Sequence, residues 1–450
     1  MNSEATGHTE TATATATATG TSTATGASTA TSTTATGAST ASAASTASGA
    51  TTASGAATSM GAGANLRALR GHNAALVLDL LRRAAVGGAE GVSRPELAAR
   101  TGLTPQAVSK IVARLRGDGL VADAGRRAST GGKPATVLRL VPGAGYAVGL
   151  HLDRDALTAV LADLTGAVVA ERRAPLDFGA GADAVVAAAV DEVRALAGGG
   201  GSTGPYGPAP EAAPPAVLGV GVALPGPLEH EAGVLHRVTG FPEWDGYPLR
   251  DALAARLGLP VAVDKDTNAA ALGLALGGAA ESFAYLHLGT GLGAGLVLGG
   301  DLHRGARTGA GEFGHQVLSL DGPPCGCGDR GCVEALCLAA VARGDLDEAA
   351  RVLGTAAGNL VALLDIDLVL LGGRTVFAAE DLFVRGVGAV VSGRTRREGS
   401  RTPVGVLGAP GGDRGVAEGA AQLVLAPLFG RARVAFPAPS RQSDLTTNRT

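Results

Sequence analysis

The sequence predicts a mixed α/β protein with a small winged helix-turn-helix module on its N-terminal side. Between residues 73 and 118, apolar residues recur at helical spacing and follow capping residues. From about residue 144, short apolar runs alternate with helical stretches, as they do in α/β domains. The charge is also divided between the N-terminal module and the rest of the chain. Residues 65–141 contain thirteen basic and five acidic side chains, a net charge of +8, whereas the whole chain carries −3.

Length and composition exclude several classes of protein. A chain of 450 residues with 46% hydrophobic content is long enough for two or three domains, each with its own core. It contains no apolar run long enough to cross a bilayer, and no basic segment followed by an apolar one opens it. Four cysteines are too few for a disulfide scaffold. We therefore expect a cytoplasmic protein that does not span a membrane.

Three segments have the composition of loops or disordered chain. Residues 1–64 are almost entirely Thr, Ala, Ser and Gly, so they lack the large apolar side chains that would offset the entropy of ordering. Because patterned sequence begins just after Met60, a start codon at that position is a hypothesis that intact mass would test. Residues 198–215 read as a Gly/Pro-rich loop, and 437–450 as a polar tail.

The basic module, residues 65–143, is predicted to contain three helices. Asn73 is expected to cap the first helix. Ser93 caps the second, and Glu96 three residues later completes a capping box. Gly102 ends that helix, and Thr104 followed by proline starts the third. Two short helices joined by a glycine-containing turn predict a helix-turn-helix.

The third helix and the hairpin after it are the predicted DNA-binding surface. Segments 120–122 and 137–140 are expected to pair as a wing. The polar side chains of the third helix suit base edges and phosphates, and the basic wing suits a phosphate backbone or a minor groove. The candidate contacts are Gln106, Ser109, Lys110, Arg114, Arg126, Arg127 and Lys133. The structural alternative is a plain three-helix packing module.

The remaining chain is predicted to form the α/β body, residues 144–436. Its strand candidates are short apolar runs bounded by turn or helix signals. They are residues 146–152, 157–163, 217–223, 261–264, 284–288, 294–299 and 368–371.

All four cysteines fall in one short stretch, which points to metal chemistry. Three thiolates in a loop of small residues can converge with a histidine on one zinc ion, and four protein ligands make such a site structural. The proposed ligands are His315, Cys325, Cys327 and Cys332. Cys337 follows on a helical stretch and is expected in the core. The alternative for the cluster is a set of free thiols.

Two further motifs carry weaker signals. Glycines 289, 291, 293 and 295 follow an apolar strand, and glycine lets backbone amides approach an anion. A tight hairpin explains the same glycines. Residues 264–268, Asp-Lys-Asp-Thr-Asn, stand at a strand end and offer a general base. A helix N-cap is the alternative there.

Together these motifs resemble the ROK family of repressors and sugar kinases. The segments that carry the resemblance are 224–227 (LPGP), 266–271 (DTNAAA), 288–295 (LGTGLGAG), 311–315 (GEFGH) and 325–334 (CGCGDRGCVE). The match covers about residues 144–425, and the helix-turn-helix resembles the repressor branch. It implies the two-lobed actin-like, hexokinase-like ATPase fold with a ligand in the cleft.

The resemblance also implies roles for individual residues. Asp266 matches the base that deprotonates a sugar hydroxyl. Four residues match sugar contacts: Asn268, Glu312, His315 and Glu334. Gly289, Thr290 and Gly291 match a phosphate loop. His315, Cys325, Cys327 and Cys332 match the zinc ligands.

Three departures from the family pattern predict that the kinase activity is lost and that Asp266 is a vestigial base. The first phosphate loop, Asp-x-Gly-Gly-Thr in the kinases, is here His151 followed by Asp153-Arg154-Asp155, and two carboxylates there would repel phosphates. Gly240 stands where the kinases carry an asparagine that holds the sugar. Lys265 replaces the asparagine before the catalytic aspartate. The last two departures bear on sugar binding.

The resulting hypothesis is a DNA-binding transcriptional repressor that senses a sugar or sugar derivative. Its expected partners are a double-stranded operator and that small effector, with structural zinc, no ATP and no membrane. We expect a homodimer or a dimer of dimers, because two winged modules on a two-fold axis match a palindrome. The alternative is an ATP-dependent sugar kinase with a DNA-binding appendage.

Overall fold

The computed structural model describes residues 62–127, 135–198, 216–238, 240–399 and 402–431, with side chains from residue 71 onward except that of Arg127. All of these residues belong to one compact unit, Met60–Thr450. Most of the sequence predicted as disordered or loop-like lies outside the described residues. This holds for residues 1–61 of the segment 1–64, for residues 199–215 of the loop 198–215, and for the whole tail 437–450. So do Met60 and the wing residue Lys133.

The N-terminal module is a three-helix unit with a three-stranded antiparallel sheet in the order β1-β3-β2. Its elements are α1 (Ala62–Val86), β1 (Val92–Ser93), α2 (Arg94–Thr101), α3 (Pro105–Gly117), β2 (Val121–Arg127) and β3 (Ala135–Leu140). β2 and β3 form the predicted wing but are longer than predicted, and they pair as far as Arg127 and Ala135.

The predicted caps of α2 and α3 are confirmed, and that of α1 is wrong. Ser93 Oγ accepts a hydrogen bond from the Glu96 amide, and Glu96 bonds back to the Ser93 amide at 2.7 Å. Thr104 Oγ1 accepts from the Ala107 amide at 3.2 Å. Asn73 lies inside α1, which begins at Ala62, because the alanines, leucines and arginines before Asn73 favour helix and no proline interrupts them.

The strands of the body follow in chain order, ending with a strand near the C-terminus. They are β4 (Tyr146–Leu152), β5 (Ala156–Asp163), β6 (Val168–Pro175), β7 (Val217–Leu224), β8 (Leu228–Glu229), β9 (Val234–Leu235), β10 (Val261–Lys265), β11 (Phe283–Leu288), β12 (Leu292–Leu298), β13 (Asp301–Leu302), β14 (Leu368–Gly372) and β15 (Gly405–Gly408). All seven predicted strands are confirmed.

Two five-stranded sheets with the same topology form the two lobes. In the first, β4, β5 and β6 are antiparallel neighbours, and β7 and β10 extend the sheet in parallel beyond β4. In the second, β11, β12 and β13 form the antiparallel part, and β14 and β15 extend the sheet in parallel beyond β11. The predicted two-lobed α/β body is therefore present.

Helices cover these sheets and also lie between them. They are α4 (Ala182–Ala197), α5 (Leu249–Leu257), α6 (Asp266–Leu276), α7 (Val333–Ala342), α8 (Leu346–Leu364), α9 (Arg374–Phe377), α10 (Glu380–Arg397) and α11 (Gly415–Leu425). α4 and α5 share one apolar core with the first sheet, and α7, α8 and α10 share another with the second. Cys337 of α7 is fully buried in that second core, as predicted. Residues of α6 and α11 form a further cluster with strands of both lobes. Among the described helices, none is long and apolar enough to cross a membrane.

Candidate functional site

A narrow cleft of about 90 Å³ lies where strand ends and loops of both lobes meet. The segments that follow β4 and β10 supply the first wall, and the β11–β12 turn, the 311–315 loop and the start of α7 supply the other. The side chains in its lining with ionisable groups are Asp153, Arg154, Lys265, Asp266, His287, Glu312, His315 and Glu334. Seven of these eight were named as candidate or departing site residues from sequence alone, and His287 was not.

Asp266 stands at the end of β10 as the first residue of α6. Its Oδ1 accepts a hydrogen bond from the Thr267 amide at 2.6 Å, and burial raises the pKa of its carboxyl above the ordinary range. Lys265 holds the N-cap position, and its side chain makes no capping bond. The carboxylate thus accepts a hydrogen bond from a backbone amide in the first turn of the helix and also lines the cleft. Its role as a vestigial base stays a prediction.

Lys265 is engaged with the opposite wall of the cleft. Its buried ammonium donates to the Ala310 carbonyl oxygen at 2.6 Å and to Glu312 Oε1 at 3.0 Å. Glu312, a predicted sugar contact, is therefore paired with the residue that replaces an asparagine of the family pattern. An effector that uses Glu312 has to share it with this ammonium.

The structure places Asn268 behind the cleft rather than in its lining. Asn268 is fully buried and donates through Nδ2 to Asp264 Oδ1 at 2.8 Å, and no described residue donates to its Oδ1. Asp264 also accepts from Arg304 Nε at 2.7 Å, which makes a buried ion pair. Sequence reasoning missed Arg304, because nothing in the local pattern links it to residue 264. The predicted sugar contact at Asn268 remains untested.

Glu334 and His315, the other predicted sugar contacts, both line the cleft. Glu334, in the first turn of α7, accepts a hydrogen bond through Oε2 from the Leu292 amide at 2.8 Å. This bond fixes the carboxylate against the β11–β12 turn. His315 closes a short 3₁₀ turn, Phe313–His315.

The predicted phosphate loop is a tight hairpin, the alternative that the sequence left open. Leu288 pairs with Leu292, and the Gly289 amide donates to the Gly291 carbonyl oxygen at 2.9 Å. Thr290 Oγ1 donates across the cleft to Asp153 Oδ1 at 3.2 Å. The hydroxyl expected to face a phosphate therefore binds a carboxylate. Phosphate contact by Gly289, Thr290 and Gly291 stays a prediction.

Asp153 and Asp155 both face Arg374, a residue that sequence reasoning did not select. Arg374 Nη1 lies 2.8 Å from Asp155 Oδ2, and Nη2 lies 4.0 Å from Asp153 Oδ2. Burial raises the pKa of Asp153, but His151, the Arg154 amide and Arg374 outweigh it and hold the pKa below its ordinary value. The only sequence signal for Arg374 was the Gly-Gly pair that precedes it.

Two histidines, one from each lobe, line the cavity next to the cleft, and His287 lines the cleft as well. Burial lowers the pKa of His151 to about 4, although Asp153 opposes the shift. The ring centroid of His287 lies 6.4 Å from that of His151, and the Tyr285 hydroxyl lies 2.9 Å from His287 Nδ1. A cavity of about 470 Å³ adjoins these groups and reaches Arg374.

The predicted metal ligands converge, and they could hold a metal ion. The ligand atoms of His315, Cys325, Cys327 and Cys332 all lie within 4.8 Å of one another. His315 Nδ1 lies 3.7 Å from Cys325 Sγ, and Cys327 Sγ lies 3.7 Å from Cys332 Sγ. Ligands at tetrahedral positions around zinc, with bonds of about 2.0–2.3 Å, stand about 3.6–3.8 Å apart. The donor set and its spacing therefore fit a tetrahedral ion.

The predicted recognition helix presents a continuous polar face. Val108, Val112 and Leu115 of α3 are buried. The predicted DNA contacts on this helix are all exposed: Gln106, Ser109, Lys110 and Arg114. Arg126 of the wing is exposed as well, whereas the side chain of Arg127 and all of Lys133 lie outside the described residues. The exposed stripe has the i, i+3, i+4 spacing of one helix face.

Comparisons with known proteins agree with the description of both the N-terminal module and the α/β body. The ROK family model matches residues 209–343, and the MarR family model matches residues 84–128. The chain is 29% identical over 246 residues to a xylose repressor of Caldicellulosiruptor bescii, and this match covers 54% of the chain and 59% of that repressor. The chain thus spans about three fifths of the length of this curated relative.

A second relative and a solved structure extend the comparison. Over 133 residues the chain is 42% identical to a glucokinase of Thermotoga maritima, a match that covers 29% of the chain and 42% of the glucokinase. The crystal structure of a ROK family transcriptional regulator, a homolog of the E. coli MLC protein, superimposes with a TM-score of 0.64 at 21% identity. It covers 80% of this chain and 97% of that one. The chain therefore joins a segment that matches the MarR family model to one that matches the ROK family model, and it shares the fold of a ROK family transcriptional regulator.

Proposed function

We propose that this protein is a DNA-binding transcriptional repressor whose ROK domain senses a sugar or sugar derivative and transfers no phosphate. One observation carries the proposal. The same chain presents an exposed recognition helix and a sugar-type cleft lined by Asp153 at the position of the kinases' first phosphate loop, with Asp155 and Arg374 beside it. Effector binding in the cleft would change operator affinity through its different affinities for two conformations of the protein.

The part of the cleft around Asp153, where the kinases have their phosphate loop, has a charge and a hydrogen-bond geometry that do not suit catalysis. Phosphoryl transfer needs hydrogen-bond donors and cations around the phosphates, with the attacking and leaving oxygens in line. Here Asp153 is held ionised and takes the Thr290 hydroxyl as its donor. A phosphate next to this carboxylate would be repelled by about 4 kcal/mol per charge pair at 4 Å in a partly dry site.

The repressor model includes a metal, a symmetric assembly and a location. Zinc held by His315 and the three cysteines would stabilise the loop that carries His315 into the cleft. A homodimer, or a dimer of dimers, would place two recognition helices on the half-sites of a palindromic operator. Such a protein acts in the cytoplasm, where its operator is.

Selection of bound duplexes from random-sequence DNA by the full chain tests DNA recognition. We expect one palindromic site, with affinity that falls by about 10³-fold or more between about 50 and 200 mM salt if six or more phosphates are contacted. The sugar is then tested with D-xylose and a panel of other aldopentoses and aldohexoses. An active sugar should change operator affinity by about 5- to 150-fold. Failure to recover any sequence-specific site would refute the repressor, and an operator indifferent to the whole panel would refute sugar sensing.

An ATP-dependent sugar kinase is the second candidate, favoured by Asp266 in the cleft and by the 42% identity to a glucokinase. A coupled assay for ADP release with each sugar of the panel decides between the two. ATP-dependent turnover that disappears in Asp266→Asn would establish the kinase. We expect no turnover from the wild-type chain.

A further inference from the structure

The last turns of α1 connect the DNA-binding module to the first lobe through one buried arginine. Arg82 Nε donates to the Thr165 carbonyl oxygen, in the β5–β6 turn, at 3.2 Å. Its Nη2 donates to Gln422 Oε1 of α11 at 3.4 Å, and the guanidinium carbon lies 5.2 Å from the centroid of the Phe429 ring. Only 6% of Arg82 is exposed. A single side chain thus contacts three separate parts of the body.

Neighbouring residues of α1 support the same junction. Asp79 is buried and pairs with Arg431, beyond α11, at 3.1 Å. Val77 and Leu81 belong to one apolar cluster with residues of β4, β5 and α11. The junction is therefore a packed core with polar contacts inside it, and α1 and α11 have little freedom to move independently.

Glycines fix α11 tightly to the first lobe. A Cβ atom at Gly149 of β4 would lie 2.0 Å from the Ala417 carbonyl oxygen, and one at Gly221 of β7 would lie 1.8 Å from the Ala420 carbonyl oxygen. Such contacts require glycine, because any side chain would push the helix away from the sheet. α11 consequently follows the movement of the β4–β7 pair.

The same kind of contact ties α11 to the helix that starts in the cleft. A Cβ atom at Gly419 of α11 would lie 2.0 Å from the Ala269 carbonyl oxygen of α6. On its other side, α6 meets β12 of the second lobe, where a Cβ at Gly295 would lie 2.1 Å from the Thr267 carbonyl oxygen. α6 begins at Asp266 in the cleft, and β4 ends just before Asp153 in the cleft lining. Both elements that pack against α11, α6 and β4, therefore have one end at the proposed effector site.

We propose that Arg82 is the positioning residue through which the cleft and the DNA-binding module sense each other's state. The inference rests on the proposed repressor function. A change in the cleft moves α6 and β4, the glycine contacts transmit this movement to α11, and Arg82 with Gln422 transmits it to α1. A cavity of about 580 Å³ adjoins this junction, and its lining includes Arg82, Thr165 and Gln422.

Reciprocity allows a test that needs no sugar. If a cleft ligand alters operator affinity, operator DNA must alter the affinity for that ligand by the same factor, so we expect operator binding to change the cleft. The probe is the operator duplex that the full chain selects from random-sequence DNA. Hydrogen exchange is measured at amides 289–293 and 310–315 with and without this duplex. In the wild type we expect exchange there to change by at least about fivefold, the lower end of typical coupling.

Two variants at the junction and one matched control complete the experiment. Arg82→Met and Gln422→Met should still bind the operator, while the exchange response of the cleft falls below about twofold, because the link between the two sites is broken. Arg100→Met removes an exposed arginine of α2, away from the junction, and should keep the full response. Gln422→Met keeps the test valid if Arg82→Met does not fold.

The outcomes separate this proposal from the function on which it rests. If no operator is recovered, the repressor function fails, and the proposal fails with it. If an operator is bound but the cleft does not respond in the wild type, or if the response survives in both junction variants, the role of Arg82 is refuted and the repressor function stands.

Discussion

Acidification between pH 6.5 and pH 4 should destabilise the folded protein through His151. This imidazole is buried beside the cleft, with Asp153, His287 and Arg374 as its charged or titratable neighbours. Burial lowers its pKa to about 4, whereas a histidine in the unfolded chain titrates near 6.5. In this interval the unfolded state binds a proton that the folded state does not, so the free energy of unfolding falls as the pH falls.

The size of the effect follows from the difference between the two pKa values. One proton difference changes the free energy of unfolding by about 1.4 kcal/mol per pH unit. Over the interval from 6.5 to 4, His151 therefore accounts for a loss of about 3 kcal/mol. Above about pH 7.5 the imidazole is almost entirely neutral in both states and contributes little slope. Asp266, whose pKa burial raises, acts in the opposite direction, so only a comparison of variants isolates His151.

Urea unfolding curves at half-unit steps from pH 7.5 to pH 4, read at constant ionic strength, measure this slope. His151→Asn keeps a polar side chain at the position but cannot bind the proton. We expect the variant to lose about 1 kcal/mol less stability per pH unit than the wild type below pH 6.5, whatever its stability at pH 7. A control variant, His303→Asn, changes an exposed histidine on the second lobe and should leave the slope unchanged. Parallel slopes for the wild type and His151→Asn would refute the buried neutral imidazole.

Four further results are expected. The double variant Lys110→Glu, Arg114→Glu should abolish operator binding in a mobility-shift assay without changing the circular dichroism, because both side chains are exposed on α3; retained binding would remove α3 as the recognition helix. Purified protein should hold one zinc per chain by elemental analysis, and Cys327→Ser should lose it and melt at lower temperature; an equally stable metal-free protein would contradict the site. Gly149→Ala should destabilise by about 1–3 kcal/mol in urea, because its Cβ would overlap a carbonyl oxygen of α11; an unchanged midpoint would contradict the close packing. ADP release should stay at background with every sugar tested, and turnover lost in Asp266→Asn would reverse this expectation.

Local pattern was sufficient for much of the fold. The seven predicted strands are buried on both faces or nearly so, and such strands appear in a sequence as continuous apolar runs. β6 was missed because its residues alternate between half-buried and exposed, with Glu171, Arg172 and Arg173 in the middle. An edge strand with charged residues has the composition of a loop. The start of α1 was misplaced for a related reason, since a capping residue can also lie inside a helix.

The candidate site was predictable only where it is formed by residues that lie close together in the sequence. The metal ligands lie within a short loop and converge as their spacing predicts. Arg374, Arg304 and Arg82, in contrast, meet their partners across long stretches of chain: Asp155, Asp264 and Gln422. Such pairings depend on how the lobes and the module pack, and no local pattern encodes them. The motifs of the site were therefore predicted from the sequence, whereas its long-range side-chain pairings were not.

In the proposed repressor, these ion pairs would allow a kinase-like cleft to serve recognition alone. A sensor needs the side of the cleft that holds a ligand's hydroxyl groups, and the predicted sugar contacts Glu312, His315 and Glu334 lie in the lining. It has no use for a phosphate site, and here Asp153 and Asp155 stand in the place of the phosphate loop, with Arg374 offsetting only part of their charge. The same contacts join residues after β4 to α9 of the second lobe, so they also hold the two lobes together. In the proposed repressor, an effector that alters the spacing of the lobes would have to work against this bridge. The bridge would thereby set how much binding energy is needed to change the conformation that the operator recognises.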